Sequence, residues 1–276
     1  VIGVYYNEDY DAWPPLDSEM TNLEITSATS WALYCPAVSQ MVSVTQNNIV
    51  DCGNGIYMKA AKAEYGLPDV TDNIILNSGT GLHVEDSGPY AYVTGNQITG
   101  GSNGIYTTNS NCFISENTIV DNYGYPFGQF GTSFPVYSDN YLSDNAYEGI
   151  AVKGTIEADG YWYDIQELGY PYVIVDDISV AEDYMLTVDP GIVVKFIYDH
   201  SSYSGGYQYT PRFFIHGTVV ADGTSDAPIY FTSVRDDTVG GDTNYDGFLT
   251  TPNGGDWGYI RTYNSSSVFD YCVFRY

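Results

Sequence analysis

The sequence predicts an all-β protein in which short strands stack coil upon coil as a β-solenoid, with a long acidic loop inserted late in the chain. Three observations predict this fold: a composition rich in strand and turn residues, a repeat of 21 to 26 residues, and a later half made of strand–turn pairs. Of 276 residues, 29 are Tyr and 29 are Gly. Tyr, Thr, Val and Ile favour strands, whereas Gly and Asn favour the tight turns between them.

The charge balance of the chain is strongly acidic. Eight Lys and Arg residues stand against 35 Asp and Glu residues, which gives a formal net charge of −27. Such a chain lacks the basic patch that nucleic acid requires, and it should repel anionic membrane surfaces while attracting divalent cations. It also has no apolar stretch of the roughly 18 residues that a membrane-spanning helix needs. We therefore expect no nucleic-acid partner and no membrane span in this chain.

Five copies of one pattern form the repeat. Each begins with Asn followed within two residues by Ile, Val or Leu, and in four copies a Gly–aliphatic pair follows eight or nine positions later. The Asn residues are Asn47, Asn73, Asn96, Asn117 and Asn140, and the pairs are Gly55-Ile56, Gly81-Leu82, Gly104-Ile105 and Gly149-Ile150. One such unit cannot bury its apolar positions alone, so the copies should stack. We predict a hydrogen-bonded ladder of Asn side chains at a left-handed turn, and a second turn at each Gly.

Asn and Gly corners at this period resemble the right-handed parallel β-helix repeat family, over about residues 20–155. The resemblance implies a right-handed parallel β-helix. Residues 172–276 lack the Asn corner, but strand–turn pairs such as "TVDPGIVVKF" and "GTVVADGT" are similar to a β-helical module of large exported bacterial and archaeal surface proteins. We predict β-helix coils over residues 1–158 and a second β-solenoid segment over residues 159–276, in one stack or two. Because the chain ends inside an apparent strand, further coils are expected beyond it.

The acidic loop, residues 235–256, separates the strand sequences "PIYFTS" and "GDWGYI". Counted from Asp242, its spacing follows the twelve-position calcium loop, with Gly247 at the sharp turn. The twelfth position holds Asn253 instead of a bidentate Glu, so Asp256 or the Asp236-Asp237 pair would supply the missing charge. Candidate ligands are Asp242, Asn244, Asp246, the backbone of Phe248, Asn253 and Asp256. Calcium in a structural role is the expected cofactor; the alternative is an Asx-turn loop with solvated carboxylates.

Catalytic groups are scarce in this sequence. The β-helix resemblance includes polysaccharide lyases, which combine calcium with an Arg or Lys; here Arg235 adjoins Asp236-Asp237 and Arg261 follows the acidic loop. We favour the alternative that these two residues pair with neighbouring carboxylates. Asp51, Asp121 and Asp144 recur at one offset after the Asn corner and would form an acidic column along the coil edge. No catalytic residue is predicted, and we expect that the protein is not an enzyme.

Aromatic and sulfur-containing side chains supply two further candidates. Tyr57, His83 and Tyr106 each follow a Gly–aliphatic pair, so they should stack in one column. Such a column would bind sugar rings, contact another copy of the protein, or simply cover the sheet. The four cysteines lack metal-binding spacing. Cys272 is either a buried apolar residue or a crosslink to a neighbouring molecule in a polymer.

Together these features predict an extracellular structural protein: a subunit of a cell-surface layer, sheath or filament, with adhesive capacity. Self-association into polymers is the expected partnership, because open solenoid ends can pair edge to edge. The alternative is a calcium-dependent polysaccharide lyase or a carbohydrate-binding module. Carbohydrate therefore stays open as a second class of partner.

Overall fold

The computed structural model describes residues 4–5, 18–38, 42–60, 69–89, 91–198, 210–263 and 266–276. The strands in these residues pair in parallel, and the predicted all-β solenoid is confirmed. The chain forms two compact units: Val1–Gln129 with Ser133–Ala146, and Phe130–Thr132 with Tyr147–Tyr276. Among the described elements, no helix is long and apolar enough to cross a membrane.

The first unit repeats a coil of three short strands, and each strand joins a different parallel sheet. The strands of this part of the chain are β1 (Val4–Tyr5), β2 (Ser18–Thr21), β3 (Glu24–Thr26), β4 (Trp31–Val38), β5 (Val42–Thr45), β6 (Asn48–Val50), β7 (Asn54–Ala60), β8 (Val70–Thr71), β9 (Ile74–Leu76), β10 (Thr80–Glu85), β11 (Tyr92–Thr94), β12 (Gln97–Thr99), β13 (Asn103–Thr108), β14 (Phe113–Ser115), β15 (Thr118–Val120), β16 (Phe127–Phe130), β17 (Val136–Ser138) and β18 (Tyr141–Ser143). The three sheets run β1-β4-β7-β10-β13-β16, β17-β14-β11-β8-β5-β2 and β18-β15-β12-β9-β6-β3.

Aliphatic side chains at equal positions of successive coils form the core of this unit. Ile49, Ile75, Ile98 and Ile119 pair in register across four neighbouring strands, and each is at most 1% exposed. Full burial of such a side chain stabilises the fold by roughly 1.5–3 kcal/mol. Because every coil depends on its neighbours for this burial, the repeat in the sequence becomes a stack in space.

The predicted Asn ladder is present. The Nδ2 of each Asn donates to the Oδ1 of the next over 2.9 Å, from Asn47 through Asn73, Asn96 and Asn117 to Asn140. The prediction that these Asn residues adopt the left-handed conformation is wrong. The residue before each one does so, with φ between 56° and 69°: Gln46, Asp72, Gly95, Glu116 and Asp139. The turn therefore precedes the Asn, and the Asn side chain is left free to point inward and bond to its neighbours.

The Gly residues of the repeat do not form a second turn, contrary to prediction. Gly55, Gly81 and Gly104 lie inside β7, β10 and β13, where coils approach closely. A Cβ on Gly55 would lie 2.2 Å from the backbone oxygen of Gly81, so only Gly fits. The second left-handed turn lies earlier and includes the predicted acidic column, since the residues with positive φ are Asp51, Asn77, Gly100, Asp121 and Asp144.

The described residues of the second unit form strand–turn pairs without an Asn ladder. Its strands are β19 (Ile150–Ile156), β20 (Gly160–Trp162), β21 (Tyr172–Val180), β22 (Met185–Val188), β23 (Val193–Phe196), β24 (Phe213–Ile215), β25 (Thr218–Asp222), β26 (Ile229–Ser233), β27 (Ile260–Thr262), β28 (Val268–Asp270) and β29 (Cys272–Phe274), with a 3₁₀ turn at Ile165–Glu167. The strands run in the order β19-β21-β23-β26-β29, with β24 paired to β21 and β27, and in a further sheet β20-β22-β25-β28. The predicted division of the coils at residue 158 stays a prediction.

Candidate metal centre

The acidic loop connects β26 to β27, and its two ends are held by buried carboxylates. Asp236 is fully buried and accepts hydrogen bonds from Thr232 Oγ1 at 2.8 Å and from Arg275 Nη1 at 3.3 Å. Asp256, 2% exposed, accepts from Ser233 Oγ at 2.7 Å and from Arg235 Nη1 at 3.3 Å. Buried carboxylates are stable when they are paired and hydrogen-bonded in this way. The loop is therefore anchored to the strands at both ends.

A buried lysine anchors the middle of the loop. Lys195 on β23 is fully buried, and its Nζ donates to the backbone oxygen of Gly241 at 2.6 Å and to Thr243 Oγ1 at 2.7 Å. Gly240 covers the same strand, because a Cβ there would lie 3.4 Å from Lys195 Cε. Burial lowers the pKa of Lys195 to about 8, against the opposing field of nearby carboxylates. The loop thus packs on the sheet over a buried positive charge.

Three carboxylates meet in the part of the loop that Lys195 anchors. Asp237, Asp242 and Asp246 each place a carboxylate oxygen within 4.8 Å of the others. Burial, followed by the charges of Asp242 and Asp246, raises the pKa of Asp237, whereas the hydrogen bond from Thr250 lowers the pKa of Asp246. These carboxylates repel one another, and a cation between them would remove the repulsion.

Two side-chain oxygens at this place are buried without a hydrogen-bond partner among the described residues. They are Oδ1 of Asp237 and Oδ1 of Asn244. A buried oxygen that has lost water and gained no donor costs free energy, so such atoms need an explanation. Asp242 meanwhile accepts the amide hydrogens of Asp246 at 3.1 Å and of Gly247 at 2.7 Å, and the φ of 71° at Gly247 is that of the predicted sharp turn. We call Asp237, Asp242, Asn244 and Asp246 the oxygen cluster.

The structure brings together only part of the predicted ligand set. Asp242, Asn244 and Asp246 are in the oxygen cluster, and of the alternatives for the missing charge, Asp237 joins them. Asp256 instead pairs with Arg235 and receives the backbone N–H of Asn253 at 3.1 Å. Asn253 donates its own amide to Thr251, and the Phe248 side chain is 87% exposed. As metal ligands, all of these residues stay predictions.

The two arginines considered for catalysis have other contacts. Arg235 pairs with Asp256, and its guanidinium carbon lies 3.6 Å from the ring centroid of Tyr198. Arg261 lies over the ring of Tyr263 at 4.6 Å. Arg235 thus matches the favoured expectation of pairing with a loop carboxylate, whereas Arg261 contacts an aromatic ring outside the loop.

The three residues of the predicted aromatic column are in register, and two further rings lie beside Tyr57 and His83. Tyr57, His83 and Tyr106 pair in register across β7, β10 and β13. Tyr34 stacks on Tyr57 at 4.9 Å, and Trp31 lies 5.5 Å from Tyr57 and 6.2 Å from His83. Trp31, Tyr34, Tyr57 and His83 form what we call the aromatic cluster. Tyr106 instead covers Gly128, where a Cβ would lie 2.6 Å from its ring.

Trp31 and Tyr34 precede Asn47, the first Asn of the five copies. The repeat therefore gave no reason to expect them beside the aromatic column. The aromatic cluster borders a charged group on the same strands. Tyr57 donates its hydroxyl to Glu85 at 2.6 Å, and Lys59 contacts Glu85 at 2.6 Å and Asp86 at 2.9 Å. Rings and hydrogen-bonding groups therefore lie side by side on this sheet.

All four cysteines are unpaired in the structure. Cys35, Cys52 and Cys112 are buried, and Cys272 is half-buried on β29. Burial, followed by the charges of Asp270 and Asp222, raises the pKa of Cys272 to about 11. Its role as a polymer crosslink stays a prediction.

Comparison with protein families gives a match for the first part of the chain. Residues 31–155 match the family described as the right-handed beta helix region. This part of the chain is a right-handed β-helix. The match agrees with the resemblance that the Asn and Gly pattern predicted over about residues 20–155. The right-handed β-helix family includes both enzymes and non-enzymes, so the fold is compatible with either. No curated protein and no solved structure matches the chain.

Proposed function

We propose that this protein is an extracellular structural β-helix, a subunit of a cell-surface layer, sheath or filament, whose acidic loop binds calcium. The observation that carries the calcium proposal is the oxygen cluster, with its three carboxylates and two buried, unpaired oxygens. Calcium prefers oxygen ligands from carboxylates and amide carbonyls, and it accepts six to eight of them in flexible geometry. The remaining positions would be filled by backbone oxygens and water.

The charges around the oxygen cluster support a cation there. Arg275 and Arg235 pair with Asp236 and Asp256, so these two carboxylates are already compensated. Lys195 brings one positive charge to the three remaining carboxylates, and its own bonds go to Gly241 and Thr243. A divalent cation would offset the residual negative charge and bind the buried, unpaired oxygens of Asp237 and Asn244.

Calcium titration of the purified chain by calorimetry tests this proposal. Asp242→Asn preserves shape but removes one ligand charge, and Asp226→Asn is a matched control because Asp226 is an exposed carboxylate outside the loop. We expect saturable binding in the wild type and in the control, with affinity at least about tenfold lower in Asp242→Asn, a loss of about 1.4 kcal/mol. Calcium should also protect residues 236–256 from proteolysis. Equal binding by all three proteins would contradict the proposal.

The proposal of a structural role is supported by side chains that serve packing. The Asn ladder, the anchored loop and the buried cysteines all serve packing, and a net charge of −27 suits a calcium-rich extracellular medium. Electron microscopy of native material is the test, and ordered layers or filaments are expected. Monodisperse particles under calcium-replete conditions, together with cleavage of a polyuronate to unsaturated products, would support the lyase alternative instead.

The aromatic cluster favours carbohydrate binding as a second function. Aromatic faces pack against the C–H faces of sugars, while Glu85 and Lys59 could exchange hydrogen bonds with hydroxyl groups. Cellohexaose and a polygalacturonate oligomer, titrated against the wild type and Trp31→Ala, test it. Tyr141→Ala is the control because Tyr141 is 62% exposed and lies on β18, in another sheet. If Trp31→Ala bound both oligosaccharides as tightly as the wild type, the aromatic cluster would not be the binding site.

A further inference from the structure

The chain contains three Asn–Gly dipeptides: Asn54-Gly55, Asn103-Gly104 and Asn253-Gly254. In such a pair the backbone nitrogen of Gly can attack the Asn side-chain carbonyl carbon. A new C–N bond closes a succinimide ring and ammonia leaves; water then opens the ring to Asp or isoaspartate. Gly permits this because it has no side chain to hinder the attack and its backbone rotates freely. Asn is accordingly a chemically labile residue, and its neighbourhood decides whether it reacts.

Two of the three pairs are fixed inside strands. The Oδ1 of Asn54 accepts the N–H of Thr80 at 2.8 Å, and there is no space at Gly55, since a Cβ would lie 2.2 Å from a backbone oxygen. The Oδ1 of Asn103 accepts the hydroxyl of Tyr106 at 2.7 Å. The nitrogen of Gly104, which would have to attack, donates to the oxygen of Tyr125 at 3.0 Å. Ring closure at either site requires breaking these bonds and separating two stacked coils.

The third pair has none of these restraints. Asn253 is exposed, and it lies in the turn region that leads back to β27. Ideal Cβ atoms on Gly254 and Gly255 would meet nothing within 4 Å, so the backbone has room to rotate. The amide of Gly254 makes no hydrogen bond to another described residue. The Asn253 side chain makes one exposed contact, to the backbone oxygen of Thr251 at 3.0 Å.

We propose that Asn253 is a site of spontaneous deamidation, whereas Asn54 and Asn103 are protected by the fold. The product adds a carboxylate beside Asp256, whose side chain accepts the backbone N–H of Asn253 and whose own N–H bonds to the Asn253 oxygen at 3.2 Å. Isoaspartate also inserts one extra backbone carbon into this turn. The modification therefore changes the charge and the length of the segment that carries Asp256. The inference does not depend on calcium.

The test is an ageing experiment on the full chain at mildly alkaline pH and 37 °C. Peptide mass spectrometry follows the amide-to-acid mass change and the isoaspartate fraction at all three sites in the same sample. We expect Asn253 to convert at least about tenfold faster than Asn54 or Asn103, because each of those must first lose native hydrogen bonds. After unfolding in urea, the three rates should converge, which shows that the fold and not the sequence separates them.

Gly254→Ala is the matched variant. The Gly254 backbone does not need positive φ, and the added methyl group would meet nothing within 4 Å, so the fold should be unchanged. The methyl group hinders ring closure, and conversion at Asn253 should slow while the other two sites keep their rates. Retention of the amide at Asn253, or equal conversion at the three sites in the folded chain, would overturn the inference.

Discussion

Asn47 and Asn48 are adjacent and chemically identical, yet substitution by Ala should greatly reduce the stability of the fold only at Asn47. Asn47 is 1% exposed and takes part in the Asn ladder, whereas the Asn48 side chain points to solvent on β6. The Asn47 side chain makes three hydrogen bonds: Nδ2 to Met20 O at 2.9 Å, Nδ2 to Asn73 Oδ1 at 2.9 Å, and Oδ1 from Leu23 N at 3.0 Å. Asn48 is exposed, and the bond from its backbone N–H to Leu23 O does not need its side chain.

The expected magnitude follows from these bonds. Each contributes about 1 kcal/mol, and Asn47→Ala also deprives the buried oxygen of Met20 and the partly buried N–H of Leu23 of these partners, so the total cost is about 3 kcal/mol or more. Asn48→Ala removes an exposed side chain and should change stability by about 0.5 kcal/mol or less. The oxygen of Asn73 keeps one donor in both variants, because the backbone N–H of Asn47 bonds to it at 3.0 Å.

Hydrogen–deuterium exchange with peptide resolution is the suitable assay, because a stacked repeat opens locally and a single global midpoint would average the effect. A loss of about 3 kcal/mol corresponds to roughly 150-fold faster exchange through local opening in β2, β3, β5 and β6. Asn48→Ala should leave these peptides within about threefold of wild type. Equal exchange in the two variants would refute the view that the Asn ladder holds the coils together.

Three further predictions concern other parts of the structure. Burial lowers the pKa of Lys195 in the folded chain to about 8, below its ordinary 10.5. Between these pH values the unfolded chain binds more protons, so the free energy of unfolding should rise with pH. In a pH series of urea unfolding, Lys195→Met should abolish this rise. Gly104→Ala should cost more than about 2 kcal/mol in thermal unfolding, because its Cβ would lie 2.2 Å from a backbone oxygen. Cys272 should react with iodoacetamide before the fully buried Cys112, as mass spectrometry of the labelled chain would show.

The sequence was sufficient to predict the stack and the ladder, since an aliphatic residue recurs two positions after each Asn and brings equal positions into register although the Asn spacing varies from 21 to 26 residues. It was not sufficient to place the turn. The residues with positive φ before the ladder are Gln46, Asp72, Gly95, Glu116 and Asp139, which share no residue type. The four residues other than Gly95 are exposed at this corner, where a moderate conformational cost is accepted. The recurring Gly residues led to a wrong prediction of a second turn, because they allow close packing between strands and do not form a turn.

The residues of the candidate site that are close in the sequence could be predicted, whereas the contacts between distant residues could not. Asp242, Asn244 and Asp246 lie within five residues, so the turn at Gly247 brings them together wherever the loop is attached. Lys195 is 46 residues from Gly241, and its contact depends on which strand the loop covers. For the missing charge the sequence offered Asp256 or the Asp236-Asp237 pair, and the ion pair between Asp256 and Arg235 favours Asp237.

The distribution of positive charge favours the middle of the loop, over its ends, as the position of the proposed cation. At each end an arginine satisfies one buried carboxylate, Arg275 for Asp236 and Arg235 for Asp256. A metal there would have to displace a formed ion pair, at a cost of several kcal/mol for a buried carboxylate. In the oxygen cluster the lysine beneath is held by Gly241 and Thr243, and Oδ1 of Asp237 has no donor among the described residues. A cation entering there gains ligands without breaking an ion pair, which is the physical basis for proposing calcium at this position.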